Sequence, residues 1–239
     1  MSQFPLSETI RAGEEELTSE EAIAMLESRI SPERRARIAE VVAQRTYSIV
    51  TVCDNLYDTG NMAAVMRSAE AMGIQEFHAI NLQSKFKRSA RITAGADKWL
   101  DFHMWRKRKT CVEHLKERGY RIVATQLSED CVEIGELDFT EAPTAIVFGN
   151  ERDGVSEEVL EASDVRCILP MLGFAESYNI SVAAALSFYH IRQDRISRQG
   201  FHGDLSERER LRLLADYYMR SVDRSEIVLE SLLKRHATT

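Results

Sequence analysis

From residue 46 onward, short apolar runs alternate with longer segments in which apolar positions return every three or four residues. The run SIVTVC at 48–53 is made of β-branched and small side chains without charge, and predicts a strand covered on both faces. A helix over 61–72, ended by Gly73, and a strand over 76–80 complete a βαβ unit. The same reading predicts a strand over 100–105, a helix over 110–118 stopped by Gly119, and strands over 121–126 and 144–148. A helix over 157–161 and a strand over 165–169 close the series. This alternation predicts an α/β fold, a mostly parallel sheet flanked by helices.

The stretch ILPMLGFAESYNISVAAALSFYH, 168–190, reads as strand, tight loop and helix. Pro170 cannot donate to a central ladder and Gly173 tolerates positive φ, so the chain should turn sharply after Leu169. Ser177 is placed to cap the helix, with Val182, Leu186 and Tyr189 at helical spacing as its packing face. Outside the alternating region, residues 1–17 read as flexible, and Thr18 or Ser19 caps an acidic helix running to Arg29. Pro32 starts a second helix with Arg34, Arg35, Arg37 and Arg45 beside an Ile38, Val41, Val42 stripe; these arginines are expected to face outward. Gly200 and Gly203 set off a charged amphipathic tail over 205–235. The expected organisation is a helical extension at 1–45, an α/β domain at 46–199 and a helical tail at 200–239.

Composition narrows the class. With 44% hydrophobic and 29% charged residues the chain reads as soluble, and no apolar run approaches the ~18 residues that span a bilayer. The opening MSQFPLSETIRAGEEEL lacks a basic region followed by an apolar core, so no secretory signal is expected and the cytoplasm is the expected compartment. Cys53, Cys111, Cys131 and Cys167 show no CxxC spacing, which favours small buried hydrophobes over disulfides and predicts no metal site. The net charge of −7 argues against a nucleic-acid binder. Its distribution changes that picture, because Lys85, Lys87, Arg88 and Arg91 cluster around Phe86, and Arg106 to Lys109 form a second basic group.

Local physics alone gives ordinary roles to the polar residues. Asn61 suits a helix N-cap, and Glu151 and Asn179 suit turns or caps. Arg67 suits a surface ion pair with Glu70 or Glu151. No GxGxxG follows any strand, so a dinucleotide pocket is not expected.

Three ordered stretches carry a more specific signal. DNLYDTGNMAAVMRSAEA at 54–71, FGNERDGVS at 148–156 and the 168–190 stretch resemble the three signature motifs of the SpoU-type, TrmH-like RNA 2'-O-methyltransferases of the SPOUT class. TAGADKW at 93–99 is similar to a segment of the tRNA guanosine members. The resemblance implies a deep C-terminal trefoil knot, which the usual rule against threaded connections would reject. It also implies a homodimer, S-adenosylmethionine as cofactor and RNA as partner, with guanosine 18 of tRNA as target and ribosomal RNA, or a knotted RNA-binding module without catalysis, as alternatives. By resemblance Thr125, Gly149, Leu169, Ser177 and Tyr178 hold the cofactor, and Arg67, Asn61, Glu151, Ser177 and Asn179 serve catalysis. Lys85, Lys87, Arg88 and Arg91 would meet RNA. Two positions depart from the family pattern: Gly60 stands where a His often precedes the Asn, and Tyr178 replaces a usual Leu.

Overall fold

The structure, a computed structural model, describes residues 3–81, 95–128 and 130–236, so the basic cluster at 85–91 lies outside the described residues. The chain forms two compact units, one holding Gln3 and Thr46–His202, the other Phe4–Arg45 with the residues from Gly203 on.

The opening segment is ordered, contrary to the flexible reading. Strands β1 (Ile10–Ala12) and β2 (Glu15–Leu17) pair as an antiparallel hairpin that buries Ile10, Ala12 and Leu17, with Gly13 at φ +67° in the turn. Three-residue strands are too short for alternation to announce them. Helix α1 (Ser19–Leu26) starts with a capping box in which Thr18 and Glu21 each take the other's backbone N–H, and a 3-10 turn carries it to Arg29. Helix α2 (Pro32–Ala43) follows with Ser31 as its cap.

The other unit runs β3 (Thr46–Asp54), α3 (Thr59–Ala71), β4 (Ile74–Ile80), β5 (Asp101–Trp105), α4 (Arg108–Glu117), β6 (Arg121–Thr125), β7 (Val132–Glu133), β8 (Thr144–Phe148), α5 (Glu157–Ala162), β9 (Val165–Ile168) and α6 (Ile180–Gln199). The seven strands stand in the order β5-β4-β3-β8-β6-β9-β7, and every neighbouring pair is parallel. Alternation along β3 and β8 divides the core between the two faces. Ile49, Cys53, Ile146 and Phe148 join Val65, Met66 and Phe188 on one side. Val50, Val52, Ala145 and Val147 join Val112, Leu115 and Val159 on the other. Full burial of each such aliphatic or phenyl side chain contributes about 1.5–3 kcal/mol, so both helical layers are held mainly by apolar contact.

Parallel strands place all their carboxyl ends on one edge. The chain moves outward from β3 to β5, then crosses to β6, and β8 enters between β3 and β6. That reversal is the switch point beside which open α/β sheets leave a crevice, and the loops after β3, β6, β8 and β9 all open there.

Two expectations about α6 are corrected. Asn179, not Ser177, caps it, because the Asn179 side chain accepts the Ser181 N–H at 2.9 Å. The buried side carries Ala184, Phe188 and Ile191, while Val182, Leu186 and Tyr189 are exposed. Of the alanines at 183–185 only Ala184 is buried; it shares the inward face with Ser187, Phe188 and Ile191, which leaves the 182, 186 and 189 stripe outside.

The tail returns as α7 (Glu207–Ser221) and α8 (Ser225–His236) in the helical unit. There Arg45 is buried with its guanidinium 5.9 Å from the Tyr217 ring centroid, not outward-facing as its neighbours Arg34 and Arg37 are.

Candidate active site

At the start of α3 the expected cap is displaced by three residues. Asp58 caps the helix, accepting the Asn61 N–H at 2.9 Å, and Asn61 sits within the first turn. Its backbone thus satisfied, Asn61 keeps its side chain for other partners. The amide nitrogen donates to Glu151 Oε1 at 2.6 Å, and its oxygen accepts from the Asn179 amide at 3.2 Å. Asn179 Oδ1 in turn accepts the Ser181 N–H and hydroxyl at 2.9 and 2.6 Å. Three loops far apart in sequence are thereby tied by one chain of amides ending on a carboxylate, and each link fixes which end of each amide faces which neighbour.

The loop after β8 is built around its glycine. A Cβ on Gly149 would lie 1.9 Å from the Gly154 carbonyl carbon and 2.0 Å from the Val155 nitrogen, so no other residue fits. The space a side chain would take is filled by the loop's own return. Asn150 and Gly154 exchange backbone hydrogen bonds at 3.0 Å, and Asn150 Oδ1 accepts the N–H groups of Arg152 and Asp153. Asp54, buried at the end of β3, anchors the far side: it accepts the Ser156 N–H at 2.9 Å and pairs with Arg108 at 2.8 Å. That pairing turns Arg108 inward, away from the basic group expected at 106–109. Neither Asp54 nor Asn150 was singled out in the sequence; the available signal was an acid closing an otherwise uncharged central strand.

Thr125, Gly149, Leu169, Ser177 and Tyr178 all line one cavity of about 570 Å³ at this edge, a volume within the ordinary range for small-molecule sites. Glu151 and Asn179 line it too, so the amide network forms part of its wall. The Thr125 hydroxyl donates to the Val147 carbonyl at 3.0 Å, and the Tyr178 hydroxyl donates to the Pro170 carbonyl at 3.3 Å across its own loop. Gln126 also lines the cavity, and its buried Oε1 has no partner among the described residues. Burial pushes the Cys167 thiol in this wall up to about 12, with Cys131 adding to the rise, so it is no thiolate nucleophile at neutral pH. Gly173 shows no left-handed φ, and its freedom is not used.

Arg67 stands apart from the network. It is exposed on α3, and neither Glu70 nor Glu151 pairs with it among the described residues. Six residues from Asn61 carry it about 240° round the helix and about 9 Å along it.

One other polar cluster lies away from this edge. Glu76 and His78 on β4 and His103 on β5 bring their side-chain tips together, and Arg118 forks onto both Glu76 oxygens at 2.5 and 2.8 Å. His78 Nδ1 accepts the Trp105 indole N–H at 2.9 Å, which leaves the ring proton on Nε2, 3.0 Å from Glu76 Oε1. A metal would need that Nε2 lone pair, so the indole fixes the tautomer against ligation. Burial alone pushes the Glu76 carboxyl up, but His103, His78 and Arg118 together hold it well below the usual carboxylate range. Burial pulls the His78 imidazole down, although Glu76 opposes the change.

Comparison with known proteins bears on the same region. Residues 48–189 match the SpoU rRNA Methylase family. The tRNA (guanosine(18)-2'-O)-methyltransferase of Escherichia coli K12 is 36% identical over 166 residues, covering 70% of this chain and 72% of that protein. The crystal structure of the A. aeolicus TrmH/SpoU tRNA modifying enzyme superposes with a TM-score of 0.72 at 32% identity, over 82% of this chain and 98% of that one. The SpoU methyltransferase AviRb from Streptomyces viridochromogenes, solved in complex with the cofactor AdoMet, gives a TM-score of 0.58 at 25% identity over 66% of this chain and 64% of its own.

Proposed function

Because the chain belongs to the SpoU rRNA Methylase family, we propose that it methylates a ribose 2'-hydroxyl of RNA from S-adenosylmethionine, at guanosine 18 of tRNA. The observation that carries this reading is the Glu151–Asn61–Asn179 chain of hydrogen bonds on the wall of the cavity at the carboxyl edge. The cavity fits the cofactor chemically. The unpartnered Gln126 Oε1 offers a buried acceptor to an exocyclic amine, and Thr125, Gly149, Leu169, Ser177 and Tyr178 line the same cavity. When bound, the sulfonium supplies an electrophilic methyl carbon with a good leaving group, so the protein's task is alignment and proton removal.

Arg67 is assigned to the ribose hydroxyl. A guanidinium is always protonated at neutral pH and makes a poor base, so its contribution is to stabilise the developing alkoxide, with an RNA phosphate or bulk water taking the proton. Asn61, Glu151, Ser177 and Asn179 set the loop geometry around the reacting ribose. Lys85, Lys87, Arg88 and Arg91 hold the RNA backbone, and no metal takes part.

The same reading assigns a homodimer, a deep trefoil knot at the C-terminal part of the sheet, and the cytoplasm. An exposed apolar line supports the dimer: Leu172, Phe174, Tyr178, Val182, Leu186 and Tyr189 run from the cavity rim along α6. A second copy covering that line would also close the cavity mouth. The strand order, with β8 inserted between β3 and β6 and β9 beyond, supports the knot. No helix among the described residues is long and apolar enough to cross a membrane.

The experiment is methyl transfer from labelled S-adenosylmethionine to tRNA transcripts and, in parallel, to ribosomal RNA, followed by nucleoside mass spectrometry. The expected product is 2'-O-methylguanosine at position 18. Label only in ribosomal RNA, or none with well-folded protein and intact transcript, would overturn the assignment.

A further inference from the structure

Two side chains beside the amide network are used by nothing described above. Tyr57, in the loop between β3 and α3, is 52% exposed and belongs to neither core cluster. Its hydroxyl donates to Asp153 Oδ2 at 3.4 Å, a long bond that leaves most of the carboxylate's accepting capacity open. Among the described residues the Asp153 carboxylate has one further partner, Arg152, at 3.9 Å from Oδ1, with both side chains mostly in solvent. The backbone of Asp153 is nevertheless pinned, its N–H donating to Asn150 Oδ1 at 2.7 Å. An exposed ring and an open carboxylate are therefore held together on fixed backbone.

We propose that Tyr57 and Asp153 form the subsite that receives the target base, and that they select guanine. This inference rests on the reading that the substrate is a guanosine ribose. Tyr57 precedes Asn61 by four residues and Asp153 follows Glu151 by two, so the pair flanks both ends of the Asn61–Glu151 hydrogen bond. Two residues of chain span at most about 7 Å, the scale on which a base's Watson–Crick edge stands off from its own ribose. That edge of guanine presents two adjacent donors, N1–H and the 2-amino group. A carboxylate only accepts, and can take both at once. Adenine puts an acceptor at N1, and uracil flanks its one N–H with carbonyls, so both meet repulsion. The phenol ring supplies a face for stacking, the usual way a protein holds an unstacked RNA base.

Asp153 also lines the cofactor cavity, so the test must separate base from cofactor. Single-turnover methylation is measured on full-length tRNA transcripts carrying guanosine or inosine at the target, with wild type, Asp153→Ala and Tyr57→Leu. Cofactor affinity of each protein is measured by calorimetry without RNA. The wild type is expected to favour guanosine over inosine by roughly tenfold or more, since inosine lacks the 2-amino donor. Asp153→Ala should slow guanosine methylation roughly ten- to a hundredfold, bring the guanosine-to-inosine ratio near one, and leave cofactor affinity within about twofold. Tyr57→Leu should weaken both substrates alike. Guanosine methylation with an unchanged ratio in Asp153→Ala, or a loss confined to cofactor affinity, would overturn the subsite while leaving the methyltransferase reading intact. No guanosine methylation by the wild type would end both.

Discussion

Asn61 and Asn179, separated by 118 positions in the chain, meet through a 3.2 Å amide hydrogen bond, and Asn61 passes the link on to Glu151 at 2.6 Å. If this chain acts as one unit, its members cannot contribute independently. Asn61→Ala and Asn179→Ala should each lower single-turnover methylation by tenfold or more. The double variant should fall little further, giving a coupling of about 1 kcal/mol or more in a double-mutant cycle. Strictly additive losses would mean that the contact is incidental.

Arg67 has no partner to lose among the described residues, so Arg67→Ala should cost little stability. It is expected to abolish turnover while leaving S-adenosylmethionine affinity nearly unchanged. Arg67→Lys separates charge from shape: a point-charge role would keep substantial activity, and a planar bidentate role would not. Wild-type rates for Arg67→Ala would return the arginine to an ordinary surface residue.

Asp54 holds the motif loop from beneath through Ser156 and Arg108. Asp54→Asn keeps the volume but weakens the acceptor for both and leaves Arg108 uncompensated. The expected result is a loss of roughly 1–3 kcal/mol in chemical unfolding and a raised KM for the cofactor, with kcat less affected. An unchanged cofactor KM would show that the loop needs no such support.

How much of this was legible beforehand depended on the length of each signal. The parallel sheet followed from runs such as 48–53 and 144–148, each of which became a buried strand, and the cavity residues sit together because each closes or follows one of those strands. Short or ambiguous signals failed. The hairpin at 10–17 was too brief to show a period, and Asn61 looked like a cap because Asp58 offered the same chemistry one turn earlier. Helical spacing marked Val182, Leu186 and Tyr189 as a face, but periodicity does not say whether a face packs inward or waits for a partner.

The charge cluster at Glu76 gives the fold an acid limit. His78 has a depressed folded pKa, so below about 6.5 the unfolded chain binds a proton that the folded one refuses, and stability falls as pH falls. Glu76, also depressed, adds a further loss below its ordinary range near 4.5. The denaturant midpoint should therefore decline from pH 7.5 to 5. His78→Gln, which cannot titrate but can still accept from Trp105, should flatten that slope even if its midpoint starts lower. An equal slope in the variant would place the acid sensitivity elsewhere.

The apolar line on α6 predicts concentration-dependent assembly. Sedimentation at micromolar concentration should give a dimer, and replacing exposed Leu186 and Tyr189 by Ser should give a monomer with impaired methylation and an intact circular-dichroism spectrum. A fully active wild-type monomer would refute the assembly.

The place of β8 has a consequence for synthesis. It pairs with β3 on one side and β6 on the other, yet emerges from the ribosome after both. Until residues 144–148 arrive, β3, β4 and β5 can form a partial sheet whose β3 edge is unpaired, and β6 has no partner strand at all, because both of its neighbours, β8 and β9, come later in the chain; such open apolar edges recruit strands from other chains. A nascent chain stalled or truncated before that point is a candidate for aggregation, and five residues from the middle of the sequence give β3 its second neighbour and β6 its first.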